Sequence, residues 1–86
     1  MNEHIELVKK FLDDNDSVTE KELWVNKQAA YDAFWAADRA DYWAAYEAAF
    51  WAAYAAEANY RAADEAAYQW KELAIEAVKE YEKLTK

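Results

Sequence analysis

Residues 29–67 carry 19 alanines in 39 positions, interleaved with aromatic rings and uninterrupted by glycine or proline. Within them, residues 33–56 divide into six tetrads, AFWA, ADRA, DYWA, AYEA, AFWA and AYAA. Alanine ends all six and begins five, while rings crowd the middle positions. Alanine is the strongest helix former because it loses no side-chain entropy on entering a helix. The pattern therefore predicts helix, and a helix that has to cover many rings. A tetrad advances about 400° around a helix, so a strict four-residue stripe drifts about 40° per repeat. Tyr42, Tyr46, Phe50 and Tyr54 then wind around the helix, and Trp35, Trp43 and Trp51 wind with them. This is not the heptad repeat of a left-handed coiled coil. Ridges four residues apart suit helices crossing near roughly −50°, and alanine flanks permit close approach. A winding stripe needs neighbours on more than one side. The expected fold is all-α, a small helical bundle or a helical oligomer.

An 86-residue chain makes one small domain with a small core. Its 15 aromatic residues compensate, since each buries about 150–250 Å². Residues 3–12 read as a short amphipathic helix with Ile5, Val8, Phe11 and Leu12 on one face, Asn2 as its N-cap and Glu6 paired with Lys10. Asp13, Asp14, Asn15 and Asp16 stop it, giving a capped turn over residues 13–18. Ser17 to Glu20 fits a capping box, and Thr19 to Glu22 offers a second register. From residue 19 to residue 84 nothing forbids helix. Unbroken, that region would run about 97 Å, so it is expected to divide into two or three helices, with candidate breaks at 38–41 and 57–59. Toward the C-terminus, Leu73, Ala74, Ala77, Val78, Tyr81 and Leu84 make one apolar face, and Glu76–Lys79, Glu80–Lys83 and Glu82–Lys86 are placed to pair.

The net charge is −8, with the acids spread along the chain. Phosphate binding needs a basic face, so direct nucleic-acid binding is not expected, whereas a protein partner with a basic surface is. The same charge also keeps a ring-rich protein dispersed. The longest uncharged run in the alanine region is nine residues, 48–56, against the roughly 20 that span a bilayer. No membrane association and no secretory leader are expected. With no cysteine, no glycine, one serine and one histidine, His4, the chain offers no metal-ligand cluster, phosphate loop or activated nucleophile. It is read as non-enzymatic, without cofactor or metal, and His4 as solvated. Burial among rings would raise the pKa of Asp41 and Glu47 by desolvation, but both are expected to reach solvent or a tyrosine hydroxyl.

The rings have two readings. As core they fill space, with tyrosine hydroxyls at the rim. As surface they are the residues of which protein-binding hot spots are made. The first reading is expected for most of them, with a remainder left outside because a chain this short does not readily enclose five tryptophans. Arg39 lies four residues from both Trp35 and Trp43, so a continuous helix would stack it on either ring. The candidate protein-binding positions are Trp35, Arg39, Tyr42, Trp43, Tyr46 and Trp51, with Asp38, Asp41 and Glu47 at the rim.

The segment AAYEAAFWAAYAAEANYRAADEAAY resembles the alanine- and aromatic-rich tetrad stretches of small uncharacterised bacteriophage proteins. The resemblance covers residues 29–70 and is one of composition. It implies a context in which small acidic orphan proteins inhibit host machinery, as anti-CRISPR and anti-restriction proteins do, in the cytoplasm of a bacterial host. The expected function is inhibition of a host defence or nucleic-acid-processing protein. The alternative is a self-associating structural protein whose aromatic tetrads form an oligomer core.

Overall fold

The computed structural model describes residues 2–85. Among them the chain forms α1 (Glu3–Asp13), α2 (Glu20–Ala37), α3 (Ala40–Tyr60) and α4 (Asp64–Leu84), with a turn of 3-10 helix at Asn15–Ser17. The fold is all-α, and its longest dimension is 36 Å.

Each helix start has a local cause. The Asn2 side chain accepts hydrogen bonds from the backbone N–H groups of His4 (2.8 Å) and Ile5 (3.2 Å), capping α1. At α2 the Thr19 register of the capping box is the one formed. Thr19 Oγ1 accepts from the Glu22 N–H at 3.1 Å, and Glu22 Oε1 accepts from the Thr19 N–H at 3.0 Å. The Ser17 register is not used, because Ser17 Oγ donates back to the carbonyls of Lys10 and Asp14 and closes the turn. Val18, just before the cap, and Leu23, at the fourth helical position, are both buried in the core, the arrangement of a hydrophobic staple.

The alanine region divides twice. At the first break Asp38 adopts the left-handed conformation, φ 48° and ψ 52°, and donates its N–H to the Phe34 carbonyl. Aspartate tolerates that region better than most residues. The second break is not at 57–59, which lies inside α3. There, Glu57 and Arg61 pair at 3.3 Å across the last helical turn. The chain turns at 61–63 in a Schellman motif, with the Ala63 N–H bonded to the Ala58 carbonyl and the Ala62 N–H to the Asn59 carbonyl. Ala62 takes the left-handed position, φ 59°, where glycine is usual.

Helix α3 packs against the other three, most extensively against α4 and then α2. Its alanines 44, 45, 48, 49, 52, 53, 55, 56 and 58 are buried. At about 100° per residue nearly all of these fall on one half of the helix circumference, and Trp43, Tyr46, Glu47, Phe50, Trp51 and Tyr54 fall on the other. The expectation that most rings fill the core is thereby corrected. Alanine lets the helix backbones approach closely, and the rings are displaced to a partly buried rim. The largest fully buried side chains are Phe11, Ile5, Leu23 and Val8, so α1 supplies the bulk that α3 lacks.

Two polar contacts fasten α1. Asn26 donates to the His4 carbonyl at 3.1 Å and its Oδ1 meets His4 Nδ1 at 3.0 Å, so His4 is engaged with α2 rather than solvated. Lys9 bonds Glu82 of α4 at 2.8 Å, and this partner raises the lysine pKa. Among the described residues Glu6 does not pair with Lys10 nor Glu80 with Lys83, while Glu76 and Lys79 meet at 3.7 Å. The expected Glu82–Lys86 pair involves a residue outside those described. The C-terminal face buries Ala74, Ala77 and Val78 but leaves Leu73 and Leu84 exposed.

Candidate protein-binding surface

The ring half of α3 meets rings from both neighbours. Phe34 contacts Trp43, Tyr31 contacts Tyr46, and Trp24 contacts Tyr54. The α2 members descend in number as the α3 members ascend, so the two helices run antiparallel. On the other side Trp51 and Tyr54 meet Trp70 of α4. With the contacts along α3 and between Tyr31, Phe34 and Trp35, ten rings join into one continuous network that includes all five tryptophans. Edge-on and tilted geometries dominate, as the ring quadrupole favours.

The network has a buried end and an open end. Trp24, Trp51 and Trp70 are packed against the core. Trp35 is 67% exposed and Trp43 43% exposed, with Tyr31 at 36% beside them. Trp35 reaches Trp43 through Phe34, which lies 6.0 Å from one and 5.0 Å from the other. The packing of the chain thus leaves much of both indoles uncovered at this end of the bundle.

Four of the nine sequence-predicted residues, Trp43, Tyr46, Glu47 and Trp51, line one concavity of about 320 Å³, together with Phe50. Phe50 was missing from that set, although it stands seven residues from Trp43 on the same face. Tyr31, Phe34 and Trp70 were also missing, and they join only through the packing of α2 and α4. Burial pushes the Glu47 carboxyl above its ordinary value, and Glu80 adds to the shift. Burial likewise raises the Tyr46 phenol, with Tyr31 and Tyr54 contributing.

The remaining predicted residues gather at the α2–α3 corner. Asp38 is exposed in the break itself. Arg39 does not stack on Trp35 or Trp43, because the helix is broken at that point. Its guanidinium instead lies 5.1 Å from the Tyr42 ring centroid and holds both Asp41 carboxylate oxygens, at 3.0 and 2.9 Å. Tyr42 falls on the alanine side of α3 and lines a recess with Asn2, Glu3, His4 and Ala33. Tyr42 and Asp41 therefore belong to a local clip, separate from the open ring surface. Among the described residues no three His, Asp or Glu side chains gather as a metal site, and no helix is long and apolar enough to cross a membrane.

No protein-family model matches the sequence, no curated protein is similar to it, and no solved structure matches the fold.

Proposed function

We propose that this chain is a non-enzymatic protein-binding module that docks its open ring surface on a partner with a basic surface. The observation that carries the reading is the exposed pair Trp35 and Trp43, joined through Phe34 into one aromatic surface. Exposed tryptophans on a rigid helical frame are the residues from which binding hot spots are made. A net charge of −8 steers the chain toward positive potential and opposes association of like-charged copies. Arg39 and Arg61 are each paired with a carboxylate, and Lys27 sits over Trp24 and Phe50. These cations near the rings are thus engaged within the chain, and with the net negative charge this favours a protein partner over a nucleic acid. Small size, acidity and the resemblance to phage tetrad proteins support the finer reading. In it the module inhibits a host defence or nucleic-acid-processing protein in the bacterial cytoplasm, in the manner of anti-CRISPR and anti-restriction proteins.

The test is affinity capture from bacterial lysate across a salt series, with wild type and the Trp35→Ala/Trp43→Ala double variant. One stoichiometric partner, released as salt rises and lost by the variant at unchanged helical circular dichroism, is the expected result. Equal capture by the variant overturns the ring surface as the docking site. Recovery of the protein alone, as an oligomer that the variant dissociates, replaces this reading with self-association.

A further inference from the structure

Glu47 is placed unlike the other carboxylates of α3. Asp41 and Glu57 each hold an arginine of this chain. Among the described residues Glu47 has no ion pair and no side-chain hydrogen bond. It is partly buried, and its neighbours in the concavity are Trp43, Tyr46, Phe50 and Trp51. These five stand at i, i+3, i+4, i+7 and i+8 on one face of a single helix, so their backbones are held rigidly. An aromatic wall with one unpaired carboxylate is the chemistry that recognises an organic cation.

The same helix shows the arrangement filled. At its start Arg39 lies over the Tyr42 ring while bonded through two nitrogens to Asp41. Ring and carboxylate there hold one guanidinium together. Lys27 reaches Phe50 at 5.6 Å, so a cation is already drawn to this network, but Lys27 does not line the concavity.

Resting on the docking role proposed above, we propose that the concavity takes one arginine side chain of the partner, its guanidinium stacked on the rings and bonded to Glu47. An aliphatic or aromatic anchor would strip water from the carboxylate and leave it unpaired, which is costly. A lysine would satisfy the charge but, as a compact point charge, would lack the planar fork that matches ring and carboxylate together. The pocket adjoins the open tryptophans through the Trp43–Phe34–Trp35 contacts, so an arginine seated in it places the partner across the exposed surface.

The experiment is a nuclear magnetic resonance titration with N-acetyl-arginine amide, with N-acetyl-citrulline amide as the neutral counterpart of the same shape. The expected result is saturable movement of the Trp43 and Trp51 indole signals with the arginine compound. Citrulline and the Glu47→Gln variant should each bind about tenfold or more weakly, the loss of a charge-assisted bond. Equal binding of citrulline, unchanged binding by Glu47→Gln, or no saturable movement at these indoles overturns the arginine pocket. Such a failure with partner capture intact leaves the docking surface standing. Arginine binding in a protein whose partner capture ignores Trp35 and Trp43 removes the docking reading instead.

Discussion

Trp51 of α3 and Trp70 of α4 lie face to face, with ring centroids 5.1 Å apart and planes 7° from parallel. Both rings pack against the alanine core, whereas Trp35 and Trp43 at the other end of the network stand exposed. The tryptophans thus divide into those packed against the core and those that stand out to solvent. Trp51→Ala and Trp70→Ala should each cost about 3 kcal/mol, the lower end for a large aromatic because the rings are only partly buried. A double-mutant cycle should return a coupling of about 1 kcal/mol. Trp35→Ala should change stability by less than about 1 kcal/mol. Urea unfolding measures all three.

The alanine face makes the opposite demand. Ala52 is fully buried where α3 meets its neighbours, while Ala36 of α2 is exposed. Ala52→Leu should destabilise by about 2–3 kcal/mol, because the extra methyl groups force the helices apart. Ala36→Leu should stay within about 0.5 kcal/mol. The contrast, read by thermal unfolding, distinguishes a core built on close approach from one merely short of side-chain volume.

Ala62 occupies a left-handed position at φ 59° with no glycine to relieve it. That conformation costs an alanine about 1–2 kcal/mol; glycine removes this cost, and its greater unfolded-state entropy offsets only part of the gain. Ala62→Gly should therefore stabilise the protein by about 0.5–1 kcal/mol, visible as a raised melting temperature.

Two glutamates should respond to pH in opposite senses. The Glu22 carboxyl is held below its ordinary value by the Thr19 backbone N–H and then by the Thr19 hydroxyl. Its contribution is present above the unfolded-state value of about 4.3 and is lost as pH falls through the lower folded value. Glu47 is raised by burial and by Glu80. Its folded state binds the proton more tightly, so stability is gained as pH falls through the folded value and the ionised form opposes folding above it. Glu47→Gln should raise the melting temperature at pH 7, with the gain vanishing below about pH 4. Glu22→Gln should lower it at pH 7, and that deficit should also shrink in acid.

Much of the fold was legible along the chain. The capping signals at Asn2 and Thr19 depend on residues three apart or closer, and the structure uses both. The all-α class followed from alanine propensity, and the need for several neighbours around the tetrad stripe followed from its drift. What was not legible depends on packing. The tetrads were read as a ring stripe winding around the helix with most rings inward, because propensity does not say whether alanine or ring turns to the core. Close helix approach decided for alanine. The break at 61–63 escaped because its left-handed residue is Ala62, a type that gives no turn signal. Within the candidate site, Trp43, Tyr46, Glu47 and Trp51 converge because they share a face of one helix. Tyr42 and Asp41 do not join them, because adjacent positions on a helix point about 100° apart.

The most direct test is fluorine magnetic resonance on protein labelled with fluorotryptophan, reading the solvent isotope shift of each of the five tryptophans. The account predicts that, in the free protein, Trp35 and Trp43 report open solvent while Trp24, Trp51 and Trp70 are shielded, and that a captured partner then shields the open pair. Trp35 and Trp43 already as shielded as Trp51 and Trp70 in the free protein would contradict it, because the surface reserved for a partner would then be consumed by the chain or its own copies.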